Sequence, residues 1–131
     1  MPMATGMFTS ERLDWQTPVA VYKKLNAEFH FDCDPCPPNN LFNGLSMEWG
    51  GSNFVNPPYG REIPGWIDKA IEEHRKGKSI VLLVPSRTDT KWWHRLMDEA
   101  PEIRFIRGRL KFDDQKSNAP FPSAIVILRG K

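Results

Sequence analysis

The sequence predicts an α/β fold in which helices cover both faces of a sheet, giving three layers. Segments with the helical spacing of apolar residues alternate along the chain with short apolar segments typical of strands. The continuous apolar run SIVLLV at 79–84 is typical of a strand that is buried on both faces. A length of 131 residues is enough for one domain with one core.

The N-terminal region is predicted to start with a flexible leader over residues 1–10, before a single domain over 11–131. Thr17 is a residue type that caps helices, and Pro18 suits the first position of a helix. Apolar residues then follow with helical spacing. We therefore predict a helix over residues 18–28, with Thr17 as its cap.

Two short strands are predicted on either side of a long loop. Phe29 and Phe31 alternate with polar neighbours, which indicates a strand that ends at Asp34. Residues 35–52 are rich in Pro, Asn, Gly and Ser and are predicted to be mostly loop. The apolar residues 54–55 are predicted to end the second strand.

The remaining helices and strands are predicted from the helical spacing of apolar residues and from short apolar runs. Ile63 begins an amphipathic helix that extends to about Lys76 and is closed by Gly77. The later elements are predicted as a strand at 79–84, a helix at 90–99, and strands at 103–106 and 124–128.

Polar turns follow three of the predicted strands. Asp34, Asn56 and Ser86 each lie at or just after the carboxyl end of a strand. In open α/β sheets, ligands bind beyond the carboxyl ends of the strands. We therefore expect these three turns to converge at one edge of the sheet and to form a binding site.

The turn Asn56-Pro57-Pro58-Tyr59 has the composition needed to hold an aromatic amine. The lone pair of an exocyclic amine is delocalised into its ring, so the amine is a poor nucleophile. Two acceptors that bind its hydrogens, the Asn56 side-chain oxygen and a rigid backbone carbonyl, would direct the lone pair toward an electrophile. Tyr59 would stack on the base. Because the turn contains no strong nucleophile or base, the electrophile must already be activated, as a sulfonium methyl donor is.

The distribution of charge along the sequence is more informative about binding partners than the net charge, which is only +2. Residues 104–111 contain four basic residues and no acid: Arg104, Arg107, Arg109 and Lys111. Basic residues in such a segment either keep an edge hairpin soluble or contact phosphates. Next to a base pocket, we favour contact with phosphates.

Two other classes of protein receive little support. No apolar run approaches the length of a membrane span, and the start of the sequence lacks a secretory-signal pattern. Cys33 and Cys36 form a single C-x-x-C, whereas a closed zinc site needs four ligands. We therefore predict two reduced cysteines, no metal and no membrane partner.

The chain resembles a known family over nearly its whole length from about residue 11. Asn56-Pro57-Pro58-Tyr59 matches the [DNS]-PP-[YFW] motif of amino methyltransferases that use S-adenosylmethionine. Further segments occur in the same order as in the phage DNA N-6-adenine methyltransferases, a Dam-like family. These segments are DWQTP (14–18), FDCDPC (31–36), LLVPSRTDTKWWH (82–94), RFIRGRLKF (104–112) and APFPSAIVIL (119–128).

The resemblance implies a minimal Rossmann-like class I methyltransferase fold with a shortened sheet. It also implies an enzyme that transfers a methyl group directly from S-adenosyl-L-methionine to the N6 amine of adenine in DNA. Such a protein would act in the cytoplasm, that of the host bacterium if a phage encodes it. Three alternatives remain open: an inactive DNA-binding protein of the same fold, a cytosine N4 methyltransferase, and a methyltransferase of protein glutamine.

The resemblance also implies a role for each matching residue. The catalytic turn would be Asn56, Pro57, Pro58 and Tyr59. The donor would be bound by Trp15, Thr17, Pro18, Asp32, Asp34, Pro35 and Asn56. The base and its flanking phosphates would be bound by Tyr59, Phe121, Arg107, Arg109 and Lys111.

The chain departs from the usual methyltransferase pattern in two places. Many methyltransferases carry a Gly-rich loop after the first strand, but residues 36–39 contain no glycine. We therefore expect carboxylates and loop carbonyls to hold the donor, and this departure is what keeps the inactive DNA-binding alternative open. Residues 35–55 are also fewer than the roughly 30 residues of a complete strand–helix–strand unit.

Overall fold

The computed structural model describes residues 17–37, 43–111 and 119–131. Its helices and strands, in chain order, are α1 (Val19–Phe29), β1 (Ser52–Val55), α2 (Ile63–His74), β2 (Ser79–Pro85), α3 (Lys91–Met97), β3 (Glu102–Phe105) and β4 (Ser123–Leu128). A short 3-10 helix, Gly44–Ser46, precedes β1. The leader predicted over 1–10 lies outside the described residues.

The four strands form one mixed sheet in the order β1-β2-β4-β3. β1 and β2 are parallel, whereas β4 is antiparallel to both of its neighbours. The first residue of β2 is half-buried and the other six are buried, as the continuous apolar run predicted. Because β2 and β3 are both antiparallel to β4, β3 runs in the same direction as β1 and β2.

Helices pack against the sheet. Tyr22 of α1 makes an edge-to-face ring contact with Phe54 of β1, with centroids 5.3 Å apart. α2 contacts both β2 and α3. α2 buries Trp66, Ile67 and Ala70, which recur at the spacing of one helical face. The predicted α/β fold with a short sheet is confirmed.

The predicted first strand is wrong in extent. Phe29 is the last residue of α1, and His30 ends the helix with a left-handed backbone (φ 51°). The Asn26 side chain accepts the N–H of Phe31 at 2.8 Å, which keeps this residue out of a sheet. What remains is an isolated parallel bridge between Cys33 and Asn53 of β1.

The predicted helix cap is also wrong. α1 begins at Val19, and its N-cap residue is Pro18, which has no side-chain hydrogen bond to offer. Thr17 lies just before this cap, and its hydroxyl contacts Asn56 instead. The hydrogen bond with Asn56 takes the place of the predicted cap, because a hydroxyl accepts an N–H from a side-chain amide as readily as from the backbone at a helix terminus.

No described helix has both the length and the apolar composition required to cross a membrane.

Glu73 anchors the last turn of α2 to the loop before β1. Its side chain is fully buried, and it accepts hydrogen bonds from the backbone N–H of Trp49 and from the ammonium groups of Lys76 and Lys78. Lys69 forms a further ion pair with it at 3.0 Å. Burial by itself would raise the pKa of Glu73, but the hydrogen bonds from the lysines outweigh burial and lower it to about 2.

Replacing Glu73 by Gln should therefore destabilise the protein in a pH-dependent way. The pKa of Glu73 falls from 4.5 to about 2 on folding, so the carboxylate stabilises the fold above pH 4.5, and this stabilisation is lost as the pH falls toward 2. At pH 7 we expect the Glu73→Gln variant to lose roughly 2 kcal/mol of unfolding free energy. Denaturant titration from pH 7 to pH 2 measures both effects.

Glu72→Gln is the matched control for this experiment. Glu72 is the preceding residue of the same helix, and 63% of its side chain is exposed. Its variant should change the unfolding free energy by less than about 0.5 kcal/mol. Equal losses in the two variants would contradict the anchoring role of Glu73.

Candidate active site

Four turns meet at one edge of the sheet. Asp34 follows the bridge residue Cys33, and Asn56 follows β1. Ser86 follows β2, and its N–H donates to the carbonyl of Pro122, just before β4, at 2.9 Å. The Cys33 segment, β1 and β2 are parallel, whereas β4 is antiparallel, so three strand ends and one strand start share this edge. The predicted convergence is thus present in the described residues.

The NPPY turn is packed into the protein along most of its length. Asn56, Pro57 and Tyr59 are buried, and Pro58 is half-buried. Gly60 ends the turn with φ of 102°, a backbone conformation that side-chain-bearing residues rarely adopt. Because both prolines have a fixed φ and no N–H, the backbone carbonyls of this turn are held rigidly.

The side chain of Asn56 is held by Thr17, which lies 39 positions earlier in the sequence. Its amide nitrogen Nδ2 donates a hydrogen bond of 2.9 Å to the hydroxyl oxygen of Thr17. Both residues expose only 6% of their surface. The structure thus brings together Asn56 and Thr17, two residues that were assigned to the site from separate sequence motifs.

Tyr59 and Phe121 form an aromatic pair beside this turn. Their ring centroids lie 5.2 Å apart with an edge-to-face angle of 74°. The Tyr59 hydroxyl makes a long contact of 3.5 Å with the carbonyl oxygen of Leu83, and burial raises the pKa of Tyr59 above its usual value. The Arg87 guanidinium lies 6.0 Å from the centroid of the Phe121 ring, within the range of a cation–π contact.

Asp34 carries a carboxylate that is largely removed from water. Burial raises its pKa to about 6, although a hydrogen bond of 3.2 Å from the backbone N–H of Cys36 acts in the opposite direction. Tyr22 of α1 lies close enough for the two groups to interact: burial, and then the charge of Asp34, raises the pKa of Tyr22. Asp34 is therefore the acidic group at this edge that the protein has desolvated.

The turn after Asp34 is fitted against a glycine that the sequence analysis did not identify. A Cβ atom at Gly44 would lie 1.9 Å from the carbonyl oxygen of Pro35 and 2.8 Å from the Trp66 ring. Only a glycine therefore fits there, and the Asn43-Gly44 dipeptide, a common turn signal, could have indicated it. This close contact fixes the backbone after Asp34.

Asp32 lies away from the converging turns. Its carboxylate accepts the N–H of Ser52 at 3.1 Å and lies beside Gly50, so it faces the start of β1 rather than its end. Pro18, by contrast, lies next to Thr17, and its carbonyl accepts the N–H of Tyr22 at 3.1 Å. Trp15, also predicted to bind the donor, lies outside the described residues.

The basic segment divides into one engaged residue and three exposed ones. Arg104 makes two hydrogen bonds of 2.7 Å to the carboxylate of Glu28 and another to Glu102. The three basic residues beyond the end of β3 are exposed: Arg107, Arg109 and Lys111. Because β3 runs in the same direction as β2, these three follow a strand that ends at the same edge as Asn56.

Cys33 and Cys36 form no disulfide. Within residues 17–37, 43–111 and 119–131, no cluster of three or more His, Cys, Asp and Glu side chains is suited to a metal.

The chain is similar to two phage proteins, each named DNA N-6-adenine-methyltransferase. One, from Haemophilus phage HP1, is 27% identical over 112 residues, which cover 75% of this chain and 65% of the phage protein. The other, from Escherichia phage T1, is 34% identical over 73 residues, which cover 54% of this chain and 30% of the phage protein. The matched parts thus span less than two thirds of either relative.

A family comparison covers more of the sequence. The sequence model of the family described as DNA N-6-adenine-methyltransferase (Dam) matches residues 5–129. This range includes the NPPY turn, the Asp34 turn and the basic segment. The chain therefore belongs to the DNA N-6-adenine-methyltransferase (Dam) family.

Proposed function

We propose that this protein transfers a methyl group from S-adenosylmethionine to the exocyclic N6 amine of adenine in DNA. The observation that carries the proposal is the position of the NPPY turn. It follows β1 at the edge where the other turns meet, with Asn56 held by Thr17 and Tyr59 paired with Phe121. The names of both phage relatives support adenine as the acceptor.

In this proposal, Asn56 and the carbonyl of Pro57 accept the two hydrogens of the adenine amine. Because the Asn56 amide oxygen is buried in this structure, neighbouring groups must move to admit the base. The two prolines keep that carbonyl in place without help from the substrate, so little ordering entropy is lost when the base binds. With both hydrogens held, the nitrogen becomes pyramidal and its lone pair turns toward the methyl donor. The protein needs no covalent intermediate for this chemistry.

Base binding is proposed at the Tyr59–Phe121 pair. In a duplex the N6 amine is paired and stacked, so the adenine must be extruded at a cost of a few kcal/mol. Tyr59 and Phe121 expose only 6% and 7% of their surface. A base could therefore contact the edge of this pair as it stands, whereas insertion between the two rings would require them to separate.

The residues at the edge of the sheet fit a cationic methyl donor. A desolvated carboxylate such as Asp34 is costly to keep charged unless a cation or a hydrogen-bond donor binds it. Bound beside Asp34 and Pro35, S-adenosylmethionine would supply a methyl group on a positively charged sulfur, which needs no further activation. Trp15 and Pro18 remain proposed members of this site, whereas Thr17 and Asp32 are proposed to act indirectly, Thr17 through its contact with Asn56 and Asp32 by supporting the start of β1.

DNA is proposed to contact the basic segment through its phosphates. Arg107, Arg109 and Lys111 are exposed and extend from the strand end at the site edge, whereas Arg104 is neutralised by Glu28 and Glu102. The three exposed residues are therefore the proposed phosphate contacts. If a phage encodes the protein, the reaction would take place in the cytoplasm of the host bacterium.

The acceptor and the pocket can be tested together. Mass spectrometry of nucleosides from DNA incubated with the protein and S-adenosylmethionine should detect N6-methyladenine. The Asn56→Ala variant should form it at least about 100-fold more slowly, because one of the two amine acceptors is lost. Asn26→Ala should retain the rate, because within the described residues the Asn26 side chain bonds the Phe31 backbone N–H rather than a group of the site.

Other products would each contradict part of this proposal. Methylcytosine would exclude adenine as the acceptor while retaining methyl transfer to an amine. Binding of S-adenosylmethionine without any methylated base would point to a protein substrate. Absence of donor binding would favour the inactive DNA-binding alternative.

Replacing Asp34 by Asn should raise the free energy of unfolding at neutral pH and should weaken donor binding. The pKa of Asp34 rises from 3.8 to about 6 on folding, so the folded state holds the proton more tightly and this group lowers stability as the pH rises through that interval. Above pH 7 the Asp34→Asn variant should be more stable by about 3 kcal/mol, and below pH 4 the difference should vanish. The dissociation constant for S-adenosylmethionine, measured by calorimetry at pH 8, should rise at least about tenfold. An unchanged dissociation constant would exclude Asp34 from the donor site.

The basic segment can be tested through the salt dependence of DNA binding. Arg107→Ala and Arg109→Ala should each reduce the slope of log K against log salt concentration by about 1, because one phosphate contact is lost. Arg75→Ala is the control, since Arg75 is exposed and pairs with Glu99 at the C-terminal end of α2. Fluorescence anisotropy on a short duplex gives the slopes, and equal slopes for all three variants would argue against phosphate contact by this segment.

A further inference from the structure

We propose that Thr17 is a positioning residue that holds the side-chain amide of Asn56 in the orientation needed for methyl transfer. The Asn56 amide nitrogen donates to the Thr17 hydroxyl oxygen at 2.9 Å, which turns the amide oxygen Oδ1 away from Thr17. This inference rests on the proposed function, in which that oxygen accepts a hydrogen from the adenine amine. It differs from the donor-binding role that the resemblance implies for Thr17.

The orientation of this amide decides whether the site can work. The two ends of an asparagine amide have nearly the same shape, but one end accepts hydrogen bonds and the other donates them. If the amide turned by half a rotation, Asn56 would present N–H groups to an amine that also carries N–H groups. In this structure Thr17 accepts from Nδ2, and this hydrogen bond holds the amide with Oδ1 turned away from Thr17.

Burial makes the contact with Thr17 hard to replace. Both residues expose only 6% of their surface, so water has little access to the Asn56 amide once the Thr17 hydroxyl is removed. A buried polar group that loses its partner pays the full cost of desolvation, or its side chain rotates to find another partner. Either change would disturb the position of the amide oxygen.

The rest of the fold holds Thr17 in place for this task. Because a proline follows, the backbone of Thr17 is restricted to extended conformations. The carbonyl of Pro18 accepts the N–H of Tyr22, which fixes this segment to the first turn of α1. The ring of Tyr22 in turn contacts Phe54 of β1, the strand that ends at Asn56. The two partners are therefore aligned by one continuous set of contacts.

Measuring the rate and donor affinity of two substitutions at Thr17 tests the proposal. Thr17→Val keeps the shape of the side chain but removes the hydroxyl, whereas Thr17→Ser keeps the hydroxyl. In single-turnover assays at saturating donor, we expect Thr17→Val to slow methyl transfer about 10- to 100-fold and Thr17→Ser to stay near the wild-type rate. The dissociation constant for S-adenosylmethionine should remain within about twofold for both variants, since no donor contact is lost.

Ser52→Ala controls for the loss of a hydroxyl hydrogen bond as such. The Ser52 hydroxyl donates to the carbonyl of Phe29 at 2.7 Å at the start of β1, the edge opposite to Asn56, so this variant should lower the melting temperature without slowing methyl transfer. An equal loss of rate in Thr17→Val and Thr17→Ser would overturn the proposal. A rise in the donor dissociation constant that accounts for the lost rate would also overturn it and assign Thr17 to donor binding.

A measurement on the amide itself separates this proposal from the proposed function. In 1H–15N spectra, the side-chain NH2 signals of Asn56 can be identified by their absence in Asn56→Asp. These signals should exchange slowly with water in the wild type and in Thr17→Ser, and should shift and exchange faster in Thr17→Val. Identical NH2 signals in Thr17→Val and the wild type would refute the contact whether or not the enzyme is active. Absence of methyladenine from the wild type would instead refute the proposed function.

Discussion

The parallel direction of three neighbouring chain segments is the constraint on which the site depends. The Cys33 bridge, β1 and β2 run side by side, and each delivers a different polar turn to the same edge of the sheet. Strand β2 lies inside the sheet between β1 and β4, and all of its residues after the first are buried. If the Cys33 segment or β1 ran in the opposite direction, Asp34 and Asn56 would lie at opposite edges.

Two desolvated carboxylates near opposite edges of the sheet have their pKa values shifted in opposite directions. Glu73, near the start of β2, has its pKa lowered to about 2 because the lysines around it outweigh the effect of burial. Asp34, at the opposite edge, has its pKa raised to about 6 because burial outweighs its backbone hydrogen bond. A carboxylate that lowers stability near neutral pH is typical of a functional site, whereas one that raises stability holds the fold together.

The turns at the site edge are held rigidly by packing and by proline. After Asp34, Pro35 packs closely against Gly44 of the opposing segment, where a side chain would not fit. The NPPY turn is rigid because its prolines fix the backbone and because Thr17 and Phe121 contact its two ends. Both turns thus obtain their rigidity from contacts between segments that are distant in sequence.

The sequence by itself determined the α/β class, the order of most elements and the NPPY turn, because these depend on the spacing of apolar residues and on the geometry of proline. The sequence could not determine which buried polar groups form hydrogen bonds with one another. Thr17 has the local features of a helix cap, yet its hydroxyl binds Asn56, and Asp32 faces the start of β1 although Asp34 lies at the site. Arg104 belongs by sequence to a basic cluster, yet Glu28 neutralises it from α1. Local patterns follow from neighbouring residues, whereas the partner of a buried polar group depends on which distant segments the folded chain brings within hydrogen-bond distance.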